Sequence, residues 1–155
     1  MQTNAAQIHL LVNHLPVVGT LLGTLMLLSG FALKSASVRR AALGLLVFTS
    51  LNAIPAFLSG EPAEEFMEGT PGISEELMHE HEEAAEAALV VAMLTGGIAA
   101  GALLLTRRAG ASETWVNRLK IASALLGLAS TAAMGNAAHL GGLIHHEELR
   151  DTPTQ

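Results

Sequence analysis

Residues 75–108, EELMHEHEEAAEAALVVAMLTGGIAAGALLLTRR, run from carboxylates and imidazoles through an apolar stretch to two arginines. The apolar part, 87–106, has 20 residues and no charge. At about 1.5 Å per residue a helix of that length covers the roughly 30 Å of a bilayer's hydrocarbon core. The stretch therefore predicts a membrane-spanning helix with one acidic, histidine-bearing end and one basic end.

Three more apolar stretches are of similar length, at about 8–33, 41–59 and 121–144. They are apolar on all sides, which argues against a soluble bundle with one buried stripe per helix. Short connections force neighbouring helices to run antiparallel. We predict an all-α fold: an antiparallel four-helix transmembrane bundle with an outer acidic loop, forming one domain over residues 1–155. The predicted helices cover about 5–33, 39–60, 74–106 and 114–146, and a short interfacial helix is expected at 61–68.

Charge is sorted between the two ends of this predicted bundle. Seven of the eight basic residues follow the first and third helices or open the fourth, and Arg150 is the exception. All seven histidines fall at the opposite end. We call the two ends the basic end and the histidine end. Because basic loops mark the cytoplasmic face, both termini are expected in the periplasm of a bacterial cytoplasmic (inner) membrane. No basic residue precedes the first helix, which argues against a cleavable signal peptide.

The composition excludes several kinds of cofactor site and partner. The chain has no cysteine, which excludes disulfides, thiolate zinc sites, iron–sulfur clusters and covalently attached haem. No basic stripe suited to nucleic acid is present. A non-covalent haem or a metal site built from histidine and carboxylate ligands is compatible with the sequence.

Helical wheels place a narrow stripe of polar and small residues on each helix. Because polar side chains at membrane depth prefer a bundle interior to lipid, the stripes predict a shared polar interior that opens at the histidine end. The stripes contain His9, Asn13, Pro16, Thr20, Gly23 and Thr24; Thr49, Asn52, Ala56 and Ser59; Glu75, His79, Glu82, Glu86, Gly96 and Gly97; and Thr131, Gly135, His139, Gly142 and His146.

Ligand-type residues in or beside these stripes predict a cofactor site. A transition-metal ion (iron, zinc or copper) needs three or four His and carboxylate ligands. A b-type haem needs one or two axial histidines and a slot between helices. The sequence does not separate the two. The candidate ligands are His14, His139 and His146 for a haem, and His9, His14, His81, Glu82, Glu86, His139 and His146 for an ion.

Four patches resemble recurrent segments of an uncharacterised family of bacterial four-helix membrane proteins. They are IHLLVNHLPVVGT (8–20), PAFLSGEPAEE (55–65), PGISEELMHEHEEAAEAAL (71–89) and GGLIHHEELR (141–150). The resemblance covers most of the chain and implies four membrane spans without an agreed activity. By motif position it implies functional roles for Asn13, His14, Glu61, Glu64, His81, Glu82 and His146.

These observations predict a small membrane protein that binds a metal ion or haem for electron transfer or metal handling. The lipid bilayer is its expected surrounding, and a membrane redox complex or a second copy of the chain is a candidate partner. The alternative is an accessory subunit of a respiratory or photosynthetic complex that has no cofactor of its own. An enzyme or transporter has less support, because no nucleophile triad, phosphate loop or midplane charge is found.

Overall fold

A computed structural model of the chain describes residues 4–146 and 150. Four long helices form a bundle: α1 (Ala5–Ala32), α2 (Ala36–Leu58), α4 (Glu75–Arg107) and α5 (Glu113–His145). A short helix, α3 (Gly60–Met67), lies between α2 and α4. The predicted all-α four-helix bundle is confirmed, and the short helix expected at 61–68 is present.

Side-chain caps explain where the helices begin. Asn4 accepts a hydrogen bond from the backbone N–H of Gln7, whose side chain in turn accepts from the Asn4 N–H. Ser74, which precedes α4, accepts from the Leu77 N–H. Ser35 caps α2 in the same way, so that helix begins three residues before the predicted position. Each cap satisfies a backbone donor that lacks an intrahelical partner.

The four long helices occupy the corners of a square. Helix α1 packs against α2 and α5, and α4 packs against the same two helices, so α1 and α4 lie at opposite corners. The short helix α3 folds back onto α1. The bundle alternates up and down, which brings the starts of α1 and α4 to the histidine end together with the ends of α2 and α5.

All four long helices are long and apolar enough to cross a membrane. Their outward faces carry large apolar side chains such as Leu11, Leu104 and Leu125, each more than 60% exposed. Length, hydropathy and an apolar perimeter fit a multi-pass membrane protein.

Small and hydroxyl-bearing residues fill much of the interior. The predicted stripes of α1 and α2 do face inward, since Thr20, Thr24 and Thr49 are almost fully buried. The Thr20 hydroxyl donates to Thr49 Oγ1 across the α1–α2 contact. Gly19 packs against the methyl group of Thr49, so its lack of a side chain lets the two backbones approach closely.

The stripe predicted for α5 does not face the bundle interior, so that prediction is wrong. Gly135 and His139 are exposed. The buried face, centred about 120° away, contains Gly127, Ser130, Met134 and Ala137. On α4 the acidic half of the predicted stripe does not face the interior either: Glu75, His79, Glu82 and Glu86 are all exposed. The two glycines of this stripe also differ in their packing. Gly96 packs against Ser50, while a Cβ at Gly97 would meet no atom within 4 Å.

Candidate metal site at the histidine end

Two imidazoles meet near the bundle axis at the histidine end. His9 from the second turn of α1 and His81 from the second turn of α4 have ring centroids 6.2 Å apart and planes at 86°. Both side chains are half-buried. Because α1 and α4 occupy opposite corners, only side chains that point inward from both helices can meet in this way.

His81 is anchored to the neighbouring helix α5. Its Nδ1 lies 2.8 Å from the backbone carbonyl oxygen of Ala137. A carbonyl only accepts hydrogen bonds, so Nδ1 carries a proton. The ring also lies against Gly141, where a Cβ would come within 3.1 Å of His81 Cε1. A larger residue at 141 would displace the ring.

His9 is anchored to α2. The Ser59 hydroxyl donates to the Ala56 carbonyl at 2.7 Å, so its oxygen is the acceptor for His9 Nδ1, 3.0 Å away. Nδ1 of His9 therefore also carries a proton. The ring lies near Gly60, at the start of α3, whose Cβ would be 3.8 Å from His9 Cε1.

The two anchored rings have the chemistry of metal ligands. In a neutral imidazole with its proton on Nδ1, Nε2 presents an unprotonated lone pair. Metal-binding histidines commonly donate the other ring N–H to a carbonyl or similar acceptor, which fixes the tautomer and the ring orientation. Metal–nitrogen bonds of about 2.0–2.1 Å let two rings share an ion when their centroids lie within roughly 6.5 Å. The observed separation of 6.2 Å lies just below that limit, so the two Nε2 atoms would bond an ion at a wide nitrogen–metal–nitrogen angle.

A strongly acidic cleft of about 400 Å³ opens at the same end of the bundle. Two of its lining residues are sequence neighbours of the histidine site. Glu82 follows His81, and Glu61 follows Gly60, the residue near the His9 ring. Neither histidine lines it. A cleft with six carboxylates raises the local concentration of cations. Its lining residues are Glu61, Glu64, Glu65, Glu68, Glu75, Met78 and Glu82.

The other predicted ligands are not brought to this pair. His14, His139 and His146 are exposed, as are Glu82 and Glu86. His14 directs Nδ1 to the Leu10 carbonyl of its own helix. Within residues 4–146 and 150, no group of three or more His, Asp or Glu side chains is arranged to hold a metal ion. Of the predicted site residues, the bundle assembles His9 and His81; ligand roles for the remainder stay predictions.

A sequence signal for the inward position of His81 does exist. Ala88, Ala92, Thr95, Ala99 and Ala102 are buried at alternating spacings of three and four residues. Extending that pattern by seven residues toward the start of α4 reaches His81. The predicted stripes follow polar residues and therefore do not include this alanine-rich face. In α5 the corresponding pattern leads to Ala137 and Gly141, the two residues that contact His81.

Comparison of the chain with protein-family models, with curated proteins and with solved structures gave no match. The function is therefore inferred from the geometry of the histidine end.

Proposed function

We propose that this chain is a bacterial cytoplasmic-membrane protein with periplasmic termini that binds a transition-metal ion at its histidine end. His9 and His81 are the ligands, each through Nε2. The role of the site is metal handling or electron transfer. The observation that carries the proposal is the convergence of two half-buried imidazoles whose Nδ1 atoms are both already engaged.

The surroundings of the pair favour an ion over a b-type haem. The His81 ring lies against the α5 backbone at Gly141 and the His9 ring lies near Gly60. The adjacent cleft is lined by glutamates and Met78 rather than by the histidines. A porphyrin needs an apolar slot that reaches its axial ligand, and a carboxylate-lined cleft does not supply one.

The ligand types narrow the class of ion. Imidazole nitrogen suits zinc, copper, iron and nickel, whereas oxygen-only sites suit magnesium and calcium. Two protein ligands leave positions for water or for a carboxylate. A site with open positions suits an ion that is exchanged with a partner or a solute better than a closed structural site. The acidic cleft would supply cations to this end.

Metal binding by the purified protein tests the proposal. The full chain in detergent micelles is titrated with Zn²⁺ and with Cu²⁺ by isothermal calorimetry, and metal content is measured as purified. We expect one ion per chain, with binding lost in His9→Ala and His81→Ala. The matched controls are His14→Ala on α1 and His79→Ala on α4, which remove exposed imidazoles near each ligand.

Several results would overturn the proposal. Full binding in both His9→Ala and His81→Ala would exclude the pair. Equal loss in His14→Ala would restore the ligand set predicted from the wheels. A Soret band in the visible spectrum would replace the ion with haem. Metal-free protein that co-purifies in fixed ratio with a respiratory or photosynthetic complex would support the accessory-subunit alternative.

The membrane orientation has its own test. Because the chain has no cysteine, single cysteines can be introduced at the exposed positions Thr70 and Ala109, one at each end. In intact spheroplasts, Thr70→Cys should react with a membrane-impermeant maleimide and Ala109→Cys should react only after lysis. The reverse pattern would place the histidine end in the cytoplasm.

A further inference from the structure

One basic residue lies at the histidine end, apart from the other seven. Arg150 lies beyond the end of α5, and in the part of the chain that the structure describes its side chain donates three hydrogen bonds, all to backbone carbonyls. Nε donates to Leu143 at 2.9 Å, and Nη2 donates to Ile144 at 2.8 Å and to Gly72 at 3.1 Å. The residue that departs from the sorting of charge is therefore fixed by specific contacts.

Two of these bonds cap the end of α5. The last carbonyls of an α-helix lack a partner within the helix, and those of Leu143 and Ile144 belong to the last turn of α5. The guanidinium also places a positive charge where the helix dipole is negative. Its N–H donors form a planar fork that suits several acceptors at once. Arg150 therefore holds the last turn of α5 and still has a donor for a second element.

The third bond joins α5 to the segment that leads into α4. Gly72 has a φ of +87° and belongs to a turn that the Ile73 N–H closes by donating to the Thr70 carbonyl. Ser74, which caps α4, comes directly after this turn. One side chain thus connects the end of α5 to the start of α4. We call the three hydrogen bonds of Arg150 the arginine clamp.

His81 lies between the two elements that the arginine clamp connects. It belongs to α4, its Nδ1 donates to the Ala137 carbonyl of α5, and its ring lies against Gly141. The two core clusters do not extend this far. Their members nearest to His81 are Ala88 on α4, about two turns away, and Met134 on α5. The position of α4 relative to α5 at this level therefore depends on local contacts, of which the clamp is one.

We propose that Arg150 is a positioning residue for the metal site. It fixes the end of α5 against the start of α4, and so keeps the His81 ring bonded to Ala137 and beside His9. The inference rests on the proposed metal site. Loss of a group that orients a metal ligand lowers metal affinity, and a loosened contact between α4 and α5 should have the same consequence for His81.

Zinc affinity of the full chain in detergent, measured by calorimetry, is the first test. We expect Arg150→Gln to bind Zn²⁺ about tenfold more weakly, the lower end of the loss expected for a group that supports a ligand. The matched control is Arg39→Gln. Arg39 also donates to a carbonyl in the last turn of a helix, that of Gly30 in α1, but at the basic end. This control should bind zinc like the wild-type protein.

Two further readouts separate positioning from a general loss of structure. With Co²⁺ in place of zinc, the visible absorption bands report the arrangement of the ligands. These bands should change in Arg150→Gln and not in Arg39→Gln, while circular dichroism shows equal helical content. Arg150→Lys keeps the charge but not the planar fork, so it should bind zinc more weakly than the wild-type protein.

Hydrogen exchange tests the arginine clamp without any metal. In metal-free protein, Arg150→Gln should raise the exchange of backbone amides in 69–76 and 141–145 and leave 27–40 unchanged. Arg39→Gln should show the reverse pattern. Unchanged exchange in Arg150→Gln would overturn the clamp itself.

The other outcomes divide between the two proposals. Wild-type zinc affinity in Arg150→Gln would overturn the positioning role and leave the metal site standing. Full affinity in Arg150→Lys would show that charge alone is needed, which would also overturn it. Equal loss of affinity in Arg39→Gln would show a general effect of stability. A wild-type protein that binds no zinc, with the expected exchange pattern in Arg150→Gln, would overturn the metal site while the clamp remains.

Discussion

The two halves of the bundle are packed with different side chains. In the basic half the core is built on Leu27, Leu43 and Leu46, with alanines between them. In the histidine half it is built on Ala53, Ala88, Ala92 and Met134. Leucine side chains fill the space between helices, whereas alanines let helices approach and leave room for a side chain from the next layer.

This difference accounts for the chemistry of each end. Beyond the alanine layer, His9 and His81 reach the axis and also reach acceptors on adjacent helices, at Ser59 and Ala137. Beyond the leucine layer the axis is filled, and the cations lie at the helix ends, where Arg39 donates to the Gly30 carbonyl. One end therefore brings two imidazoles together, and the other carries most of the basic residues.

The largest effect should come from removing both imidazoles. We expect His9→Ala combined with His81→Ala to weaken Zn²⁺ binding by more than about 100-fold, the upper range seen when only a group supporting a ligand is lost. Helical content should not change, because both substitutions replace half-buried side chains at one end of the bundle. Calorimetry and circular dichroism on the same sample measure the two properties. Unchanged zinc affinity in a folded double variant would contradict ligation by this pair.

Acidification should weaken metal binding at the histidine end. Ligand imidazoles must be neutral, so protons compete with the ion. Once both rings are protonated, affinity for Zn²⁺ should fall by about 100-fold for each further unit of pH, because two protons are displaced per ion. Affinity is therefore compared between about pH 7 and pH 5, the range in which histidine changes its charge. Calorimetry across this range is the measurement, and pH-independent zinc binding would contradict imidazole ligation.

Removing the acceptor of His9 should give a smaller loss at the histidine end. Ser59→Ala leaves the ring in place but deletes the oxygen that fixes its Nδ1 proton. Loss of such a supporting group costs about 10–100-fold in metal affinity. Ser29→Ala is the control, since Ser29 also donates to a carbonyl of its own helix and is exposed. Equal affinity in Ser59→Ala and Ser29→Ala would show that His9 is not held by this bond.

The packing between the two halves can be tested at neighbouring glycines. A Cβ at Gly96 would lie 2.5 Å from Ser50 Cβ, whereas one at Gly97 would meet nothing within 4 Å. Overpacking costs typically about 1–3 kcal/mol. We expect Gly96→Ala to be less stable than Gly97→Ala by that amount, since both gain the same helix propensity. Denaturant unfolding in mild detergent measures the difference. Equal stability would show that α2 and α4 do not approach closely at this point.

The sequence predicted the fold well and the site poorly. The helices begin and end within about three residues of the predicted positions, and the inward faces of α1 and α2 were predicted correctly. For α4 and α5 the polar residues gave the wrong face. Their first or last turns extend past the apolar core into a polar layer, where residues such as Glu82 and His139 face outward without the penalty that applies at membrane depth.

The sequence by itself determined four apolar helices, their alternation, and the separation of imidazoles from cations. These follow from length, hydropathy and short connections, which act locally along the chain. Only the tertiary structure decided which histidines meet. The rotation of each helix about its axis is set by how small residues such as Gly96 and Gly127 pack against neighbouring helices. That packing turns His9 and His81 toward the axis and leaves His14 and His139 outside.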